Sequence, residues 1–488
     1  MREDAQTGRG KKLTRRVLLG AGAAIAGTAA IGVGVLASRR GGAILEPATS
    51  RARAVSGDKE IPSKADVVVI GGGNIGCFTA LTLAERGLDV VLCEKGVIAG
   101  EASGRSLGYI DGQFIDPVKA EIIARSKALW SGTDKRIAGS TGYKPTGLAA
   151  IFADEEGVAA AEGWLSSIKG APGVDARLLG KQEAQALAPG FADPVAGALY
   201  QASDAIAEPT LVAPAVADHL RRLKGKVLQN CAVRGIETQG GRVSGVVTER
   251  GAIACSTVIL AGGAWSPVFA RSLGLDLPQF MAFGTVGRIA ATGGPKIPMI
   301  STQRSVVFRP NAAGGYDLCR GIGYAPITPD AIRRLFSLKP ALDNLGSSII
   351  PVLNGATFLT FAQMPKRWNL DEPSPFEAHR ILVPETMSDE IDGLVADFSA
   401  IFPKLQKPVV TDRWAGALTS TLDNMPVISP VSAYPGLIVG SGFYFGLTMA
   451  PAAGEALADL AMGRTPSIDL RHYRFDRFHD GSPVVFRV

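Results

Sequence analysis

The pattern of apolar and polar positions divides the 488-residue chain into an uncharged leader and a long globular part. An uncharged run rich in Gly and Ala extends over 17–38, directly after Arg15 and Arg16. The apolar run 65–70 predicts a buried strand, and apolar positions at helical spacing over 77–86 predict a helix. The run 88–93 predicts a second strand. A strand, a glycine-rich turn, a helix and a second strand in this order are typical of an α/β fold.

The leader is typical of a twin-arginine export signal, over residues 1–38. At ~1.5 Å per residue its uncharged run would reach ~30 Å, so that an uncleaved leader could also anchor the protein in a membrane. Residues 35–37 suit a cleavage site, whereas Arg39 and Arg40 favour retention, and cleavage stays open. Residues 39–63 are typical of a linker. We therefore expect a membrane-associated protein on the periplasmic side, or one exported by the twin-arginine route.

Composition and charge narrow the function classes. Apolar residues make up 46% and charged residues 20%, which is typical of a soluble globule and excludes disorder and a polytopic membrane bundle. The first 60 residues hold 11 Lys/Arg against 5 Asp/Glu, which accounts for the whole net charge of +6. A nucleic-acid partner is therefore not expected. The five cysteines are scattered, and we interpret them as buried thiols, with no disulfide framework and no metal site.

The turn after the first strand carries the first chemical motif, Gly71-Gly-Gly73-Asn74-Ile75-Gly76. Gly71 permits a tight turn, Gly73 lets a pyrophosphate approach the backbone, and Gly76 lets helix and strand pack closely. The start of the helix offers free N–H groups to a phosphate. Glu94, at the end of the second strand, would accept hydrogen bonds from an adenosine ribose. FAD and NAD both use such a turn.

The segment after Glu94 separates these two cofactors. It runs from Lys95 through Ser103-Gly-Arg105-Ser106-Leu-Gly108-Tyr109. Here the chain resembles the glycine and D-amino-acid oxidase family of FAD-dependent enzymes, in which this segment leads beneath the flavin ring. The resemblance implies non-covalent FAD, and an α/β fold in which a Rossmann-type FAD-binding domain joins an α+β substrate-binding domain built on an antiparallel sheet.

The resemblance also implies where the cofactor is held. In the family, the backbone at the position of Val233 holds the adenine, and the segment from Ala261 follows the pyrophosphate. A helix predicted over 452–462 would point its N-terminus at the flavin pyrimidine. The cofactor-binding residues implied are Gly71, Gly73, Asn74, Ile75, Gly76, Glu94, Lys95, Ser103, Arg105, Ser106, Gly108, Val233, Ala261, Gly262, Trp265, Gly446, Leu447 and Thr448.

The predicted domains are discontinuous. The FAD-binding domain is expected from 64–130, 201–275 and 405–478, and the substrate-binding domain from 131–200 and 276–404. Within the latter, 326–370 contains Ile332, Leu335, Phe336 and Leu338 on one helical face with basic neighbours. This pattern suits either a membrane-contacting insertion or an ordinary helix packed on the substrate domain.

Within the family, the chain is most similar to the membrane-bound bacterial L-amino-acid deaminases. Residues 368–377 are the most specific signal, because nothing in flavin binding demands them. The resemblance implies hydride transfer from an amino acid to the flavin, giving a keto acid and ammonia, with electrons passed to a respiratory quinone or cytochrome. The alternatives are an oxygen-using oxidase of D- or N-methyl amino acids, and a flavoprotein that binds a partner without turnover.

Substrate-binding residues follow from the same resemblance. Arg320, on the second of two strands joined by a turn, corresponds to the carboxylate clamp, and Arg309 is the reserve. Tyr109 and Phe445 would border the substrate, with Phe443 as a further candidate. The deaminase branch has Gln at Tyr109 and a Gly-Trp pair at 443–445, so the preferred side chain and the L or D handedness stay open.

Overall fold

The computed structural model describes residues 50–290, 297–321, 323–345, 348–405 and 408–487. The twin-arginine segment and residues 39–49 of the expected linker lie outside these ranges. Within them, no helix combines the length and the apolar character that crossing a bilayer requires. This finding corrects the membrane location that was expected from the leader. The part of the chain that the structure describes contains no spanning helix.

The strands are numbered in chain order. They are β1 Val67–Ile70, β2 Val90–Cys93, β3 Tyr109–Ile110, β4 Leu148–Phe152, β5 Ala176–Gly180, β6 Gly197–Gln201, β7 Ala205–Ile206, β8 Lys226–Leu228, β9 Val233–Gln239, β10 Arg242–Thr248, β11 Gly251–Ala254, β12 Thr257–Leu260, β13 Gln279–Ala290, β14 Met299–Ser301, β15 Val306–Pro310, β16 Tyr316–Arg320, β17 Gly323–Pro326, β18 Ile349–Val352, β19 Val409–Thr421, β20 Val427–Pro430 and β21 Leu437–Ser441.

The α-helices are numbered in the same way. They are α1 Asn74–Glu85, α2 Ala120–Arg136, α3 Glu155–Ser167, α4 Lys181–Leu187, α5 Pro209–Arg222, α6 Ser266–Ser272, α7 Pro329–Arg333, α8 Lys339–Leu345, α9 Gly355–Gln363, α10 Pro375–Ala378, α11 Ser388–Ile401 and α12 Gly446–Ala461.

A six-stranded sheet carries the glycine-rich turn. Its order is β20-β21-β12-β1-β2-β8, and all pairs are parallel except β20 with β21. The central strands are almost wholly buried, as continuous apolar runs predict for a sheet covered on both faces. The antiparallel sheet β11-β10-β9 lies beside it. The predicted Rossmann-type architecture is confirmed.

The second large sheet has ten strands in the order β18-β17-β13-β16-β15-β14-β4-β6-β5, with β19 paired along β13. Its pairs are antiparallel apart from β14 with β4 and β17 with β18. Strand β19 belongs to this sheet, although the sequence analysis assigned 405–478 to the FAD-binding domain. After β19, which pairs along β13, the chain therefore returns from the ten-stranded sheet to the six-stranded sheet.

Two helices differ from their predicted form. Helix α12 begins at Gly446 rather than at 452, because Pro451 lies within the helix instead of at its start. The single amphipathic face expected in 326–370 is interrupted, because α7 ends at Arg333. Leu335 and Phe336 follow that end and are 55% and 91% exposed.

Candidate active site

The glycine-rich turn lies where the carboxyl ends of β1 and β12 meet the start of α1. Gly71 has φ +111°, a conformation that L side chains rarely adopt, and a Cβ added to it would lie 2.3 Å from the Ala261 carbonyl oxygen. A Cβ on Gly76 would lie 1.9 Å from the carbonyl oxygen of Gly71. Strand, turn and helix therefore pack so closely that only glycine fits at these two positions.

Glu94 follows β2 and faces the same turn. Its carboxylate accepts hydrogen bonds from the backbone N–H groups of Gly72 and Gly96, each at 2.7 Å. Removal from water raises the pKa of Glu94, although the charge of Lys95 and these N–H donors oppose the rise. The carboxylate is thus fixed at the end of β2, in the position that a ribose-binding acid would occupy.

A cluster of Lys95, Glu101 and Trp265 closes one side of the turn. Lys95 Nζ and Trp265 Nε1 both donate to Glu101 Oε1, at 2.6 and 3.0 Å. The Lys95 ammonium also lies 4.5 Å from the centre of the Trp265 ring. Glu101 was missed by the sequence analysis, although it lies between the two motif segments. Its role depends on Trp265, which is far away in the sequence.

These features line a cleft that is open to solvent. Nine residues of the predicted cofactor set line it, namely Gly71, Gly73, Glu94, Lys95, Ser103, Val233, Ala261, Gly262 and Trp265. The other nine do not line it, namely Asn74, Ile75, Gly76, Arg105, Ser106, Gly108, Gly446, Leu447 and Thr448. The nine predicted residues that line the cleft come from three separated parts of the chain, 71–103, 233 and 261–265.

Phe376 also lines the cleft, and this was not expected. Its ring lies 6.2 Å from that of Trp265, edge to face, and the next residue, Glu377, pairs with Arg234 at 2.9 Å. The segment 368–377 therefore reaches the cleft through Phe376. No local pattern in the sequence marks a contact made over such a chain distance.

Side chains of α2 donate hydrogen bonds to two carbonyl oxygens in the first turn of α12. Pro451 lacks the N–H that would bond the Leu447 carbonyl, and Trp130 Nε1 donates to that oxygen instead, at 3.2 Å. Ser126 Oγ donates to the carbonyl oxygen of Thr448 at 2.6 Å. No side chain caps the helix at its first residue. Its first N–H groups are thus available to an acceptor, which suits the electron-rich edge of a flavin.

Unpaired polar atoms test whether these residues fit FAD. Asn74 Oδ1 and Ser106 Oγ are buried, and neither has a hydrogen-bond partner among the described residues. Buried polar atoms are normally paired, so these two need an acceptor or donor from outside the protein. Ser103 Oγ accepts from the backbone N–H of Asn74 at 2.9 Å and so directs its hydroxyl hydrogen elsewhere. The glycine turn, Glu94 and Ser103, which line the cleft, fit a bound FAD.

Near the start of α12, the neighbouring aromatic side chains of Tyr109, Tyr444 and Phe445 form a group, here named the aromatic pocket, and Tyr109 is one of the predicted substrate-binding residues. Burial raises the pKa of Tyr109 well above its usual range, and the neighbouring Tyr444, Asp111 and Cys319 raise it further. Tyr444 has its pKa raised to about 12 by burial, with Cys319 and Asp111 as further causes. Tyr444 and Asp111 were missed as site residues. Each lies within two positions of a predicted one.

Arg320 is not brought to this pocket. Side chains alternate along β16, so that Leu318 packs towards α11 while Cys319 packs with Tyr109 on the opposite face. Arg320 shares the α11 side, where Nη2 donates to Asp397 at 2.6 Å and Nη1 donates to the Arg304 carbonyl at 3.1 Å. The sequence located the strand but not the direction of the arginine.

The remaining predicted substrate-binding residues, Arg309, Phe443 and Phe445, lie in three different surroundings. Arg309 is buried and pairs with Glu208 and Asp317, at 3.0 and 2.9 Å. Phe443 is buried in the apolar core that includes β1 and α1, whereas Phe445 is half-buried and its ring centre lies 5.1 Å from that of Tyr444. Phe445 is therefore the one of these three that belongs to the aromatic pocket.

Arg105 is buried behind the cleft. Its guanidinium donates to the carbonyl oxygens of Gly100 and Ala415, and burial lowers its pKa to about 10, assisted by the charge of Arg51. Trp414 Nε1 donates to the Arg105 carbonyl at 2.8 Å. Arg105 therefore ties the loop after β2 to β19 of the ten-stranded sheet.

No group of three or more His, Cys, Asp and Glu side chains is placed to hold a metal ion, within the part of the chain that the structure describes. Cys77, Cys93, Cys231 and Cys255 are buried free thiols, and Cys319 is half-buried.

Known proteins are similar to this chain in sequence and in fold. The solved L-amino acid deaminase of Proteus myxofaciens, in complex with anthranilate, superposes with a TM-score of 0.86 at 33% identity, over 91% of this chain and all of that one. The L-amino acid deaminase of Proteus vulgaris gives a TM-score of 0.83 at 28% identity, over 87% of this chain and all of that one. A glycine oxidase of Pseudomonas putida is 27% identical over 83% of this chain and 97% of its own length.

The model of one protein family, described as FAD dependent oxidoreductase, matches residues 66–460. This range contains the glycine turn, the cleft and the aromatic pocket. Because the match spans most of the chain, the protein belongs to the FAD dependent oxidoreductase family known as DAO.

Proposed function

We propose that the protein catalyses the FAD-dependent oxidative deamination of an amino acid to its keto acid and ammonia. The observation that carries this proposal is that the loop lining the glycine-rich cleft as far as Ser103 leads directly to Tyr109, whose strand contacts α12. An amine held in the aromatic pocket would adjoin the start of α12. The similarity to the Proteus deaminases, one of which was solved with anthranilate, supports a ligand that carries both an amino and a carboxylate group.

FAD bound in the cleft would supply a two-electron acceptor for hydride from the carbon that bears the amine. The protein has to orient the substrate and to exclude water. Tyr109 and Tyr444 remain neutral, because burial raises both pKa values, and each hydroxyl can therefore donate a hydrogen bond to a substrate oxygen. The imine product would be hydrolysed by water to the keto acid and ammonia.

The decisive experiment is anaerobic reduction of the flavin. The purified holoprotein is mixed with each L- and D-amino acid in turn, and the flavin absorbance is followed. We expect bleaching by one handedness and by a limited set of side chains. If no amino acid bleaches the flavin, the proposed function is wrong, and a protein that binds a partner without turnover becomes the better explanation.

The electron acceptor separates this proposal from a second candidate, an oxidase of D- or N-methyl amino acids. That candidate is favoured by the similarity to the glycine oxidase and to the sarcosine oxidase β subunit of Arthrobacter, which is 33% identical over 54% of its length. A deaminase that passes electrons to a quinone or cytochrome should turn over with a soluble quinone and give little peroxide. Stoichiometric hydrogen peroxide in air would favour the oxidase.

A further inference from the structure

Asp111 is the acidic residue that stands beside the aromatic pocket. It follows β3 directly, and in extended backbone the side chains of residues 109 and 111 point to the same side. Its backbone N–H donates to Thr448 Oγ1 at 3.2 Å, and the Thr448 hydroxyl lies 3.4 Å from Asp111 Oδ1. Asp111 is therefore located between Tyr109 and the first turn of α12.

The cation that neighbours Asp111, Lys127, already forms an ion pair with another carboxylate. Lys127 of α2 donates to Asp204 Oδ1 at 2.7 Å, and the Gln201 amide donates to the same oxygen at 2.8 Å. Lys127 Nζ would lie 3.6 Å from a Cβ on Gly112, so that its ammonium stands beside the backbone next to Asp111. Among the described residues, no Lys, Arg or His lies within ion-pair distance of Asp111.

The charged and titratable groups around Asp111 can be named from each neighbouring element. They are Tyr109 of its own strand, Lys127 of α2, Asp204 before β7 and Tyr444 before α12, together with the Thr448 hydroxyl. Burial raises the pKa of Asp111 to about 8, the charge of Asp204 adds to the rise, and Lys127 and Thr448 oppose it. A carboxyl with a pKa near the working pH is suited to accepting and returning a proton.

We propose that Asp111 binds the ammonium group of the amino-acid substrate and accepts its proton before the substrate is oxidised. The inference rests on the proposed function. The transfer is balanced: Asp111 carboxylate and R–NH₃⁺ give Asp111 carboxylic acid and R–NH₂. The neutral amine then has the lone pair that hydride loss from the adjacent carbon requires. Lys127 and Asp204 remain paired behind Asp111 and leave its carboxylate to the substrate.

The first test is the pH dependence of anaerobic flavin reduction in Asp111→Asn, with the amino acid that bleaches the wild type. In the wild type, the reduction rate constant divided by the dissociation constant should rise with pH through about 8, because only the ionised carboxyl can accept a proton. At pH 8.5 the variant should fall about 100-fold, and its profile should follow the substrate ammonium alone. Asp371→Asn, at an exposed acid, is the matched control.

The second test measures binding instead of turnover. Anthranilate, a carboxylate whose aromatic amine is not protonated near neutral pH, is titrated into the holoprotein, and its dissociation constant is read from the flavin spectrum. In the wild type, binding should weaken above pH 8 as Asp111 becomes negative, whereas in Asp111→Asn it should not change with pH. FAD content and melting temperature should stay within the wild-type range.

The outcomes separate the two proposals. An unchanged pH profile in Asp111→Asn, with flavin bleaching retained, would overturn the role of Asp111 and leave the proposed function standing. Absence of bleaching in the wild type with every amino acid would overturn the proposed function itself. Recovery of the wild-type pH profile in Asp111→Glu would support proton transfer over a purely structural role.

Discussion

Side-chain direction decides which of the predicted site residues can act. Cys319 and Arg320 are neighbours on β16, yet they lie on opposite faces of the ten-stranded sheet. Cys319 packs with Tyr109, and Arg320 is held by Asp397 beneath α11. The alternation of a strand is simple to apply once one residue is placed, but β16 is too short, and too buried on both faces, for the sequence to show which face is which.

Replacing Arg320 should therefore affect folding more than substrate binding. Arg320→Ala removes an ion pair in which both side chains are mostly buried, and the free energy of unfolding should fall by about 1 kcal/mol. Denaturant unfolding measures this value, and Asp397→Asn is the matched variant. The dissociation constant for the amino acid should change less than about threefold. A loss of about 100-fold with stability unchanged would instead identify Arg320 as the carboxylate clamp.

Glu390 gives a prediction about pH and stability. Its two carboxylate oxygens are buried in the first turn of α11, and burial raises its pKa to about 7. The raised pKa means that the folded protein favours the neutral acid. Stability is therefore lost as pH rises from the ordinary pKa of about 4.5 to about 7, by about 3 kcal/mol.

Glu390→Gln should consequently raise the melting temperature at pH 8, and the gain should shrink as the pH is lowered to 5. Thermal unfolding at both pH values measures the effect. Asp389→Asn is the control, since Asp389 is the exposed acid beside it and favours the helix N-terminus. A gain that is equal at pH 5 and pH 8 would contradict the assignment of the raised pKa to Glu390.

At the level of elements, the cleft depends on how closely strand, turn and helix approach. The sequence predicted β1, α1 and β2 in their order, because apolar runs and glycine-rich turns are local signals. It did not place the start of α12. Pro451 is tolerated inside the helix only because Trp130 of α2 satisfies the freed carbonyl, and this is a tertiary contact.

Substitutions at two glycines of the turn should distinguish an effect on cofactor binding from an effect on folding. A Cβ on Gly73 would meet only the Ser103 hydroxyl, at 2.9 Å, whereas a Cβ on Gly76 would meet backbone at 1.9 Å. Gly73→Ala should keep the melting temperature of the flavin-free protein but weaken FAD binding at least about tenfold. Gly76→Ala should lower that melting temperature by several degrees. Differential scanning fluorimetry and flavin titration give the two values.

If Gly73→Ala bound FAD as tightly as the wild type, the pyrophosphate would not pass over this part of the turn. If Gly76→Ala retained the wild-type melting temperature, α1 would be able to shift away from β1 at little cost. Each outcome contradicts one half of the prediction, and the two halves can be judged independently.

At the level of the whole molecule, three distant parts of the chain meet at one cleft. The glycine turn with Glu94, the segment around Trp265 and the segment around Phe376 all contribute to its lining. A ligand that contacts all three parts stabilises the folded state by mass action, since the unfolded chain cannot bring them together. FAD should therefore act as a stabilising ligand of the whole protein.

Addition of FAD to the flavin-free protein should raise the melting temperature, by an amount that corresponds to about 4 kcal/mol at a thousandfold excess over the dissociation constant. Glu94→Ala removes the acid fixed by Gly72 and Gly96, and both the shift and the yellow colour should be lost. Asp89→Ala, at the exposed start of β2, is the matched control. Full flavin content in Glu94→Ala would contradict the proposed ribose-binding role.

The sequence by itself determined the α/β fold class and the glycine turn, because each depends on spacing within a few tens of residues. FAD as the cofactor and Tyr109 as a substrate-binding residue followed from the resemblance to a known family. Only the tertiary structure decided that Arg320 turns to α11, that Phe376 reaches the cleft and that Asp111 adjoins the aromatic pocket. These facts depend on which faces and which distant segments come together, and such packing is a property of the folded chain that no local pattern encodes.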